Sequence, residues 1–234
     1  TLIIRLLPLQ GVGVVWVPFT QGVALGYELL PLRGVLFMSF DTPPTKKKQI
    51  IQRIMHKLRT IEMQRLSVDE FHEANKLPLI VVLDDVRSLH NVGSVFRSSD
   101  AFRVEAVYLC GITATPPHPE IHKTALGGED SVAWRYFETA TEAVAELQKE
   151  GVFVYYIEQV EGSTKLQNLQ LDTDRRYAVV FGNEVKGVHQ EVVDLADGCL
   201  EIPQFGTKHS LNVSVTAGIV IWEVAKQFLE RLKL

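Results

Sequence analysis

Polar and small residues follow three apolar runs of the sequence, and their types suit the binding of an anionic ligand. The first cluster, within "LDDVRSLHNVGSVFRSSDAF", contains the pattern N-x-G-x-x-x-R formed by Asn91, Gly93 and Arg97. The second cluster is "FGNEVKG" (181–187), and the third is "IPQFGTKHSLNVSVTAG" (202–218). Because open α/β sheets bind ligands at the carboxyl ends of their strands, we expect the three clusters to face one crevice.

The first cluster has two interpretations. Asn91 and Gly93 suit a turn that enters a helix, and Arg97 lies one turn beyond Gly93 on roughly the same face. A guanidinium near the free N–H groups at a helix start makes a binding site for phosphate. The alternative is an ordinary helix cap followed by a surface arginine, and the cluster alone leaves both open.

The elements that would position these clusters alternate along the chain. Short apolar runs separated by helical segments are typical of a doubly wound α/β fold with a parallel sheet. Strands are predicted at 77–83, 106–110, 132–137, 152–158, 177–181 and 199–203. Helices are predicted at about 92–102, 120–125, 139–151, 187–196 and 212–233.

Length and composition fit one medium domain, or one domain with a small extension. The chain has 234 residues, of which 46% are hydrophobic, so it can bury a sizeable core. A formal net charge of −4 argues against a protein that is basic all over, but it leaves room for a local basic face. Cys110 and Cys199 are lone thiols, which favours two reduced cysteines and a reducing, cytoplasmic compartment.

The amino-terminal region differs from the rest in composition. Residues 8–27 carry no charge, yet two prolines and four glycines make them a poor helix. Met38 opens a conventional polar beginning, so we expect residues 1–37 to be an apolar extension outside the functional domain. We expect no membrane span.

Residues 38–76 are predicted to form a basic helical extension. Residues 45–66 read as an amphipathic helix, and Ser67 and Glu70 have the spacing of a capping box for a second, short helix. The first helix is either a solvated face or an RNA-binding arm. The residues expected to bind RNA are Lys46, Lys47, Lys48, Arg53 and Lys57.

The last helix has an apolar arc wider than one sheet face requires, which indicates burial on two sides. The second partner is either another copy of the chain, giving a homodimer, or the rest of the same domain. His118 and His122 have i,i+4 spacing but no third ligand nearby in sequence. We therefore interpret them as exposed loop histidines and expect no metal.

Taken together, the three clusters resemble the SpoU/TrmH family of RNA ribose 2′-O-methyltransferases, within the SPOUT superfamily. N-x-G-x-x-x-R comes first, F-G-N-E second, and I-P followed by S-L-N-V-S third, over a stretch from about Leu77 to Leu229. The resemblance implies that residues 77–234 form the methyltransferase domain. It also implies a carboxy-terminal trefoil knot, against the general rule that backbones are unknotted.

The resemblance further implies that S-adenosylmethionine binds in the knot, through the backbone of Gly182, Ile202 and Leu211. Arg97 matches the arginine that engages the target ribose and its phosphate. Because a guanidinium stays protonated, we expect it to lower the pKa of the 2′-hydroxyl and align it, while phosphate or water accepts the proton.

The other residues implied at the catalytic site are polar. Asn91 would orient the constellation, and Glu184 would hold Arg97 or a backbone group, unless it is simply an acid at a helix start. Ser210 and Asn212 would reach the ribose, cap the last helix, or do both.

The sequence therefore predicts methylation of a ribose 2′-hydroxyl in structured RNA, either tRNA or rRNA, by a cytoplasmic homodimer. The alternative is a knotted RNA-binding protein without transferase activity. A conventional nucleotide-binding α/β protein is less favoured, because the sequence has no glycine-rich phosphate loop of the usual kind.

Overall fold

The computed structural model describes residues 29–32, 35–38, 57–63 and 65–232. The chain divides into two compact units, Thr1–Gln64 and Arg65–Leu234. In the first unit, strands β1 (Leu29–Leu32) and β2 (Val35–Met38) form an antiparallel hairpin. Within the described residues, no helix is long and apolar enough to cross a membrane.

The basic helix predicted at 45–66 is wrong in its described part. Residues 57–59 and 65–66 are not helical, and Thr60–Met63 form a short 3-10 helix. Glu62, the one acid of this stretch, accepts a hydrogen bond from the Arg59 backbone N–H (2.7 Å) and closes a tight turn. Lys57 is exposed, whereas Lys46, Lys47, Lys48 and Arg53 lie outside the described residues.

The second unit contains a parallel sheet, as the alternating pattern predicted. Its order is β5-β4-β3-β8-β6-β9-β7, and all neighbouring pairs are parallel. The strands are β3 (Leu77–Asp84), β4 (Val104–Cys110), β5 (Ala133–Phe137), β6 (Phe153–Ile157), β7 (Thr164–Lys165), β8 (Tyr177–Phe181) and β9 (Gly198–Glu201). The two-residue strand β7 was not predicted.

Helices follow most of the strands. They are α1 (Val68–Glu73), α2 (Leu89–Ala101), α3 (Pro119–Ala125), α4 (Gly128–Ser131), α5 (Ala140–Lys149), α6 (Gln190–Leu195), α7 (Val213–Gln227) and α8 (Leu229–Leu232), with a 3-10 helix at Leu166–Asn168. The final helix is therefore two helices, separated at Phe228. The capping box at Ser67 is confirmed, because Glu70 Oε2 accepts from the Ser67 N–H (2.7 Å) and Ser67 Oγ accepts from the Glu70 N–H (3.2 Å).

Strand β3 is buried on both faces of the sheet, which explains its unbroken apolar run. Leu79, Val81 and Leu83 belong to the core on one face, and Ile80 and Val82 belong to the core on the other. Because side chains alternate along a strand, only a strand covered twice needs apolar residues at every position. The polar residues that follow β3 are therefore held at the edge of a rigid scaffold.

Helix α2 begins at Leu89 and not at about residue 92 as predicted, so Asn91 and Gly93 lie inside the helix and not in the turn that enters it. Ser88 is the N-cap, and its Oγ accepts a hydrogen bond from the Asn91 N–H (3.3 Å). A Cβ on Gly93 would lie 2.2 Å from Ile121 O and 2.2 Å from Thr124 Oγ1. Gly93 therefore serves close packing of α2 on α3, and Asn91 is left free to use its side chain elsewhere.

Candidate active site

Asn91 joins the three polar clusters at the carboxyl edge of the sheet. Its Nδ2 donates to Glu184 Oε1 (3.1 Å), and its Oδ1 accepts from Asn212 Nδ2 (3.1 Å). Asn91 is 8% exposed, so both hydrogen bonds are largely shielded from water. The expected convergence of the clusters is thus present, with one buried amide at its centre.

Glu184 binds the start of α2 through both carboxylate oxygens. Oε2 accepts from the Arg87 N–H and Oε1 from the Ser88 N–H, each at 3.1 Å. Partial burial raises the pKa of Glu184, but the hydrogen bonds from Arg87, Ser88 and Asn91 outweigh it and lower the pKa below 4.5. Glu184 is therefore an ionised carboxylate that holds backbone groups, which is one of its two predicted roles.

Asn212 caps the last long helix and also reaches the first cluster. Its Oδ1 accepts from the N–H groups of Ser214 (2.9 Å) and Val215 (3.4 Å) at the start of α7. Its Nδ2 remains available and donates to Asn91. The helix cap predicted for Asn212 is confirmed. The amide can cap α7 and also bind Asn91, because its oxygen accepts hydrogen bonds and its nitrogen donates them.

A cavity of about 500 Å³ lies beside this network. Its lining comes from the loops that follow β6, β8 and β9 and from the start of α7. The residues predicted to bind cofactor all line it, together with three of the predicted catalytic residues: Gly182, Ile202, Leu211, Glu184, Ser210 and Asn212. A cavity of this size and position is typical of a small-molecule site in an α/β protein.

The loop after β8 folds back on itself beside the cavity. Asn183 and Gly187 exchange two backbone hydrogen bonds of 2.9 Å. A Cβ on Gly182 would lie 2.1 Å from the Gly187 carbonyl carbon and 2.2 Å from the Val188 nitrogen. Glycine at 182 is thus required by the loop's own backbone, in addition to any closeness to a ligand.

The far end of the same loop is anchored by a cluster that was not predicted from the sequence: Asp84, Asp85 and His189. His189 Nδ1 contacts Asp84 Oδ2 (2.9 Å), and its Nε2 lies 3.6 Å from Asp85 Oδ2. Asp84 accepts from the His189 N–H as well (3.1 Å), and Asp85 Oδ1 accepts from the Ile112 N–H (2.9 Å). Two acids directly after a predicted strand were the available signal. These contacts give the cluster a structural role in fixing the β8–α6 loop.

Arg97 is exposed on α2 and is not among the residues that line the cavity of its own chain. Of the two interpretations of the first cluster, an anion site at the helix start does not hold for Arg97 in its own chain, because α2 begins at Leu89 and places Arg97 well inside the helix. The backbone of Arg97 packs against α4, where a Cβ on Gly128 would lie 3.2 Å from Arg97 Cα.

The two histidines at i,i+4 are not loop residues. His118 is the N-cap of α3 and accepts the Glu120 N–H through Nδ1 (3.2 Å), and His122 lies within α3 beside Glu129 (2.6 Å). Helix α3 begins at Pro119, one residue before the predicted start at 120, because proline is favoured at the first helical position.

Glu158 was also missed, although it ends a predicted strand. It lines the cavity, and its Oε1 accepts from the Val188 N–H (2.9 Å). A carboxylate directly after an apolar run was the signal that could have identified it.

The fold and the site define an α/β protein with a small-molecule cavity at the carboxyl edge of a parallel sheet. Residues 78–222 match the model of the SpoU rRNA Methylase family, and this segment is more than half of the chain. The chain therefore belongs to the SpoU rRNA methylase family.

Two named relatives show how much of the chain is shared. A 23S rRNA (guanosine-2′-O-)-methyltransferase of Coxiella burnetii is 34% identical over 149 residues, which are 64% of this chain and 58% of that protein. A tRNA (guanosine(18)-2′-O)-methyltransferase of Thermus thermophilus is 31% identical over 169 residues, which are 72% of this chain and 85% of that protein. The chain thus spans less than two thirds of the first relative and most of the second.

Solved structures resemble the fold over a similar range. A TrmH/SpoU tRNA modifying enzyme of A. aeolicus superimposes with a TM-score of 0.62 at 26% identity, covering 70% of this chain and 83% of that one. An AdoMet-bound rRNA methyltransferase of Sinorhizobium meliloti gives a TM-score of 0.60 at 25% identity, covering 67% of this chain and 62% of that one.

Proposed function

We propose that the chain transfers a methyl group from S-adenosylmethionine to a ribose 2′-hydroxyl in structured RNA, either tRNA or rRNA. The observation that carries the proposal is the hydrogen-bonded chain Glu184–Asn91–Asn212 beside the cavity lined by Gly182 and Leu211. Family membership and the activities for which the two relatives are named support the same chemistry.

The cavity fits such a cofactor. Its volume of about 500 Å³ lies within the range of roughly 300–1,000 Å³ found for small-ligand sites. Gly182, Ile202 and Leu211 line its wall, and Glu158 and Glu184 bring negative charge towards a cationic ligand. When bound, S-adenosylmethionine supplies an electrophilic methyl group on a sulfonium centre.

The residues of the chain position the two reactants and favour loss of the proton of the 2′-hydroxyl. Asn91 and Glu184 fix the start of α2 against the cavity, and Asn212 fixes the start of α7. Ser210, which lines the cavity, would meet the ribose. Precise placement of two reactants can contribute about 7–11 kcal/mol to lowering a barrier. Arg97 would favour the deprotonated 2′-hydroxyl, with phosphate or water taking the proton.

The position of Arg97 supports action at the cavity of a second copy. Val215, Ile219 and Trp222 form an exposed apolar stripe on α7, at 51%, 38% and 47% exposure, with helical spacing. Next to this stripe, a Cβ on Gly218 would lie 3.9 Å from the Ser98 hydroxyl of α2. A homodimer formed through this stripe would bury the apolar side chains and bring Arg97 to the interface.

Mixing two inactive variants tests this arrangement. Arg97→Ala keeps an intact cavity, and Leu211→Glu keeps Arg97 but fills the cavity with a charged side chain. If Arg97 acts across the interface, refolding the two variants together should restore about one quarter of wild-type activity, because half of the dimers are mixed and each has one complete site. No recovery from demonstrably mixed dimers would place Arg97 at its own cavity and contradict the arrangement.

RNA would contact the loop after β9 and the basic arm. Phe205 is 96% exposed in the β9–α7 loop, and Lys208 and His209 of the same loop are exposed too. An exposed aromatic ring beside cations suits stacking on an unpaired base. The arm would add Lys46, Lys47, Lys48, Arg53 and Lys57 as contacts to phosphates.

Three further expectations belong to this proposal. A carboxy-terminal trefoil knot is expected from membership of the SpoU rRNA methylase family. The loops after β6 and β9 are joined by a hydrogen bond from Gln159 Nε2 to His209 O (2.7 Å). The free cysteines Cys110 and Cys199 support a cytoplasmic location. Residues 1–37 would be an extension, 38–76 a basic extension with its RNA-binding arm, and 77–234 the methyltransferase domain, with no metal and no membrane contact.

Incubation with S-adenosylmethionine and total tRNA or rRNA transcripts tests the activity. Digestion to nucleosides followed by mass spectrometry should reveal 2′-O-methylated nucleosides, and Asn91→Ala should reduce their yield at least tenfold. RNA binding without methyl transfer or cofactor binding would favour the alternative, a knotted RNA-binding protein.

A further inference from the structure

Glu158 stands at the carboxyl end of β6, inside the cavity and apart from the Asn91 network. Its backbone N–H donates to Leu200 O (3.2 Å), which fixes its main chain to the neighbouring strand β9. The side chain lines the cavity together with Gly182 and Ile202. Of the described residues around this cavity, Glu158, Glu184 and Lys186 carry a formal charge at neutral pH.

The carboxylate of Glu158 is held in one orientation by the β8–α6 loop. Oε1 accepts from the Val188 N–H (2.9 Å) and lies over Gly187, where a Cβ would be 2.1 Å from it. Gly187 also has a φ of +73°, in the left-handed region. Glycine is therefore favoured at 187 both by its backbone conformation and by the closeness of the Glu158 carboxylate. The loop thus closes onto this carboxylate.

The second oxygen, Oε2, has no hydrogen-bond partner among the described residues. The carboxylate of Glu184 differs in this respect, since both of its oxygens accept hydrogen bonds from backbone N–H groups. An oriented carboxylate with one open acceptor, at a strand end in a ligand cavity, matches the place where α/β proteins bind hydroxyl groups of a nucleoside ribose.

We infer that Glu158 is a cofactor-binding residue, whose Oε2 accepts a hydrogen bond from an O–H or N–H donor of the bound cofactor. The inference rests on the proposed function. S-Adenosylmethionine carries such donors in two parts: the nucleoside, with its ribose hydroxyl groups and its adenine amino group, and the methionine moiety, with its ammonium group. Either would be recognised by the same acceptor.

Glu158→Gln separates the two jobs of the side chain. The amide oxygen can keep the hydrogen bond from the Val188 N–H, while the NH₂ group replaces Oε2 and turns an acceptor into a donor. The loop should therefore stay in place, and the variant should melt near the wild-type temperature. Affinity for S-adenosylmethionine should fall about ten- to a hundredfold, the usual loss for a hydrogen bond to a charged group.

Calorimetric titrations with S-adenosylmethionine, S-adenosylhomocysteine and 5′-methylthioadenosine locate the donor. Equal losses for all three ligands would assign it to the nucleoside part, and losses confined to the first two would assign it to the ammonium group. Glu161→Gln is the matched control, because Glu161 is exposed and does not line the cavity.

The outcomes separate this inference from the function on which it rests. A wild-type chain that binds none of the three ligands would overturn both. Wild-type binding with unchanged affinity in folded Glu158→Gln would overturn the inference alone. If Glu158→Gln does not fold, the pair Glu158→Asp and Glu158→Asn has matched size and differs in charge, and equal affinities would also overturn it.

Discussion

Replacing Glu184 by glutamine tests how the site is held together. The change preserves the shape of the side chain and removes its charge. One amide oxygen can still accept from two of the three donors that surround it, from Arg87, Ser88 and Asn91. The amide NH₂ must then face the third donor, so one hydrogen bond is lost outright.

The magnitude follows from these three hydrogen bonds. A hydrogen bond to a charged group contributes about 1.5–3 kcal/mol, and one between neutral groups about 0.5–1.5 kcal/mol. Glu184 is exposed on one side, which places each of its contributions at the low end. We expect Glu184→Gln to lower the free energy of unfolding by about 2 kcal/mol at pH 7.

The pH dependence provides the sharper test. The folded-state pKa of Glu184 lies below 4.5, so its stabilisation is present above the unfolded pKa and is lost as the pH falls through the folded pKa. The difference between wild type and Glu184→Gln should therefore shrink as the pH falls below 4.5.

Urea unfolding followed by tryptophan fluorescence, at pH 7 and at a series of acidic values, measures both quantities. Glu138→Gln is the control, because Glu138 is exposed and lies away from the site. A difference at pH 7 that is no larger than that of the control would refute the account of Glu184 as the anchor of α2. A difference in unfolding free energy that stays the same at acidic pH would refute it as well.

Three other perturbations have defined outcomes. Gly93→Ala should destabilise by about 1–3 kcal/mol in thermal unfolding, although alanine is the better helix former, because its Cβ would meet Ile121 O at 2.2 Å; a stabilised variant would contradict this. The pKa of His189 is raised above 6.5 by its hydrogen bond to Asp84, so the stabilisation is complete below pH 6.5 and is lost as the pH rises through the folded pKa. His189→Gln should flatten the fall in stability over that range in urea titrations, and an unchanged slope would count against the pair. Replacing Lys46, Lys47 and Lys48 by glutamate should weaken RNA binding in filter assays at least tenfold and leave cofactor affinity unchanged. Equal RNA affinity of wild type and variant would show that the basic arm does not bind RNA.

The central strands β3 and β8 were predictable because they are covered on both faces. β8 was predicted at its observed bounds, and β3 within one residue, since an unbroken apolar run has one simple explanation in an α/β chain. β7 has two residues, Thr164 and Lys165, and so short a strand leaves no periodic pattern. The helix predicted at 45–66 is wrong over residues 57–63 and 65–66, the part that the structure describes, because a basic amphipathic pattern does not show what would pack on its apolar face.

The convergence of Asn91, Glu184 and Asn212 was predictable from strand order, because the carboxyl ends of parallel strands share one edge. The hydrogen-bond partners of these three side chains were not predictable. Sequence spacing placed Asn91 in a turn, whereas Ser88 caps the helix and frees the Asn91 amide. Glu158 and His189 went unnoticed, since their roles depend on a loop that folds back across the sheet edge, and no local pattern encodes such long-range contacts.

The double use of Asn91 restricts how this site can change over evolution. Its amide must donate to a carboxylate on one side and accept from Asn212 on the other, at 3.1 Å each. Aspartate would repel Glu184, and leucine would leave both partners unsatisfied. Substitutions at these three positions should therefore arise as compensated sets, and lineages that lose one of them should lose the others soon afterwards.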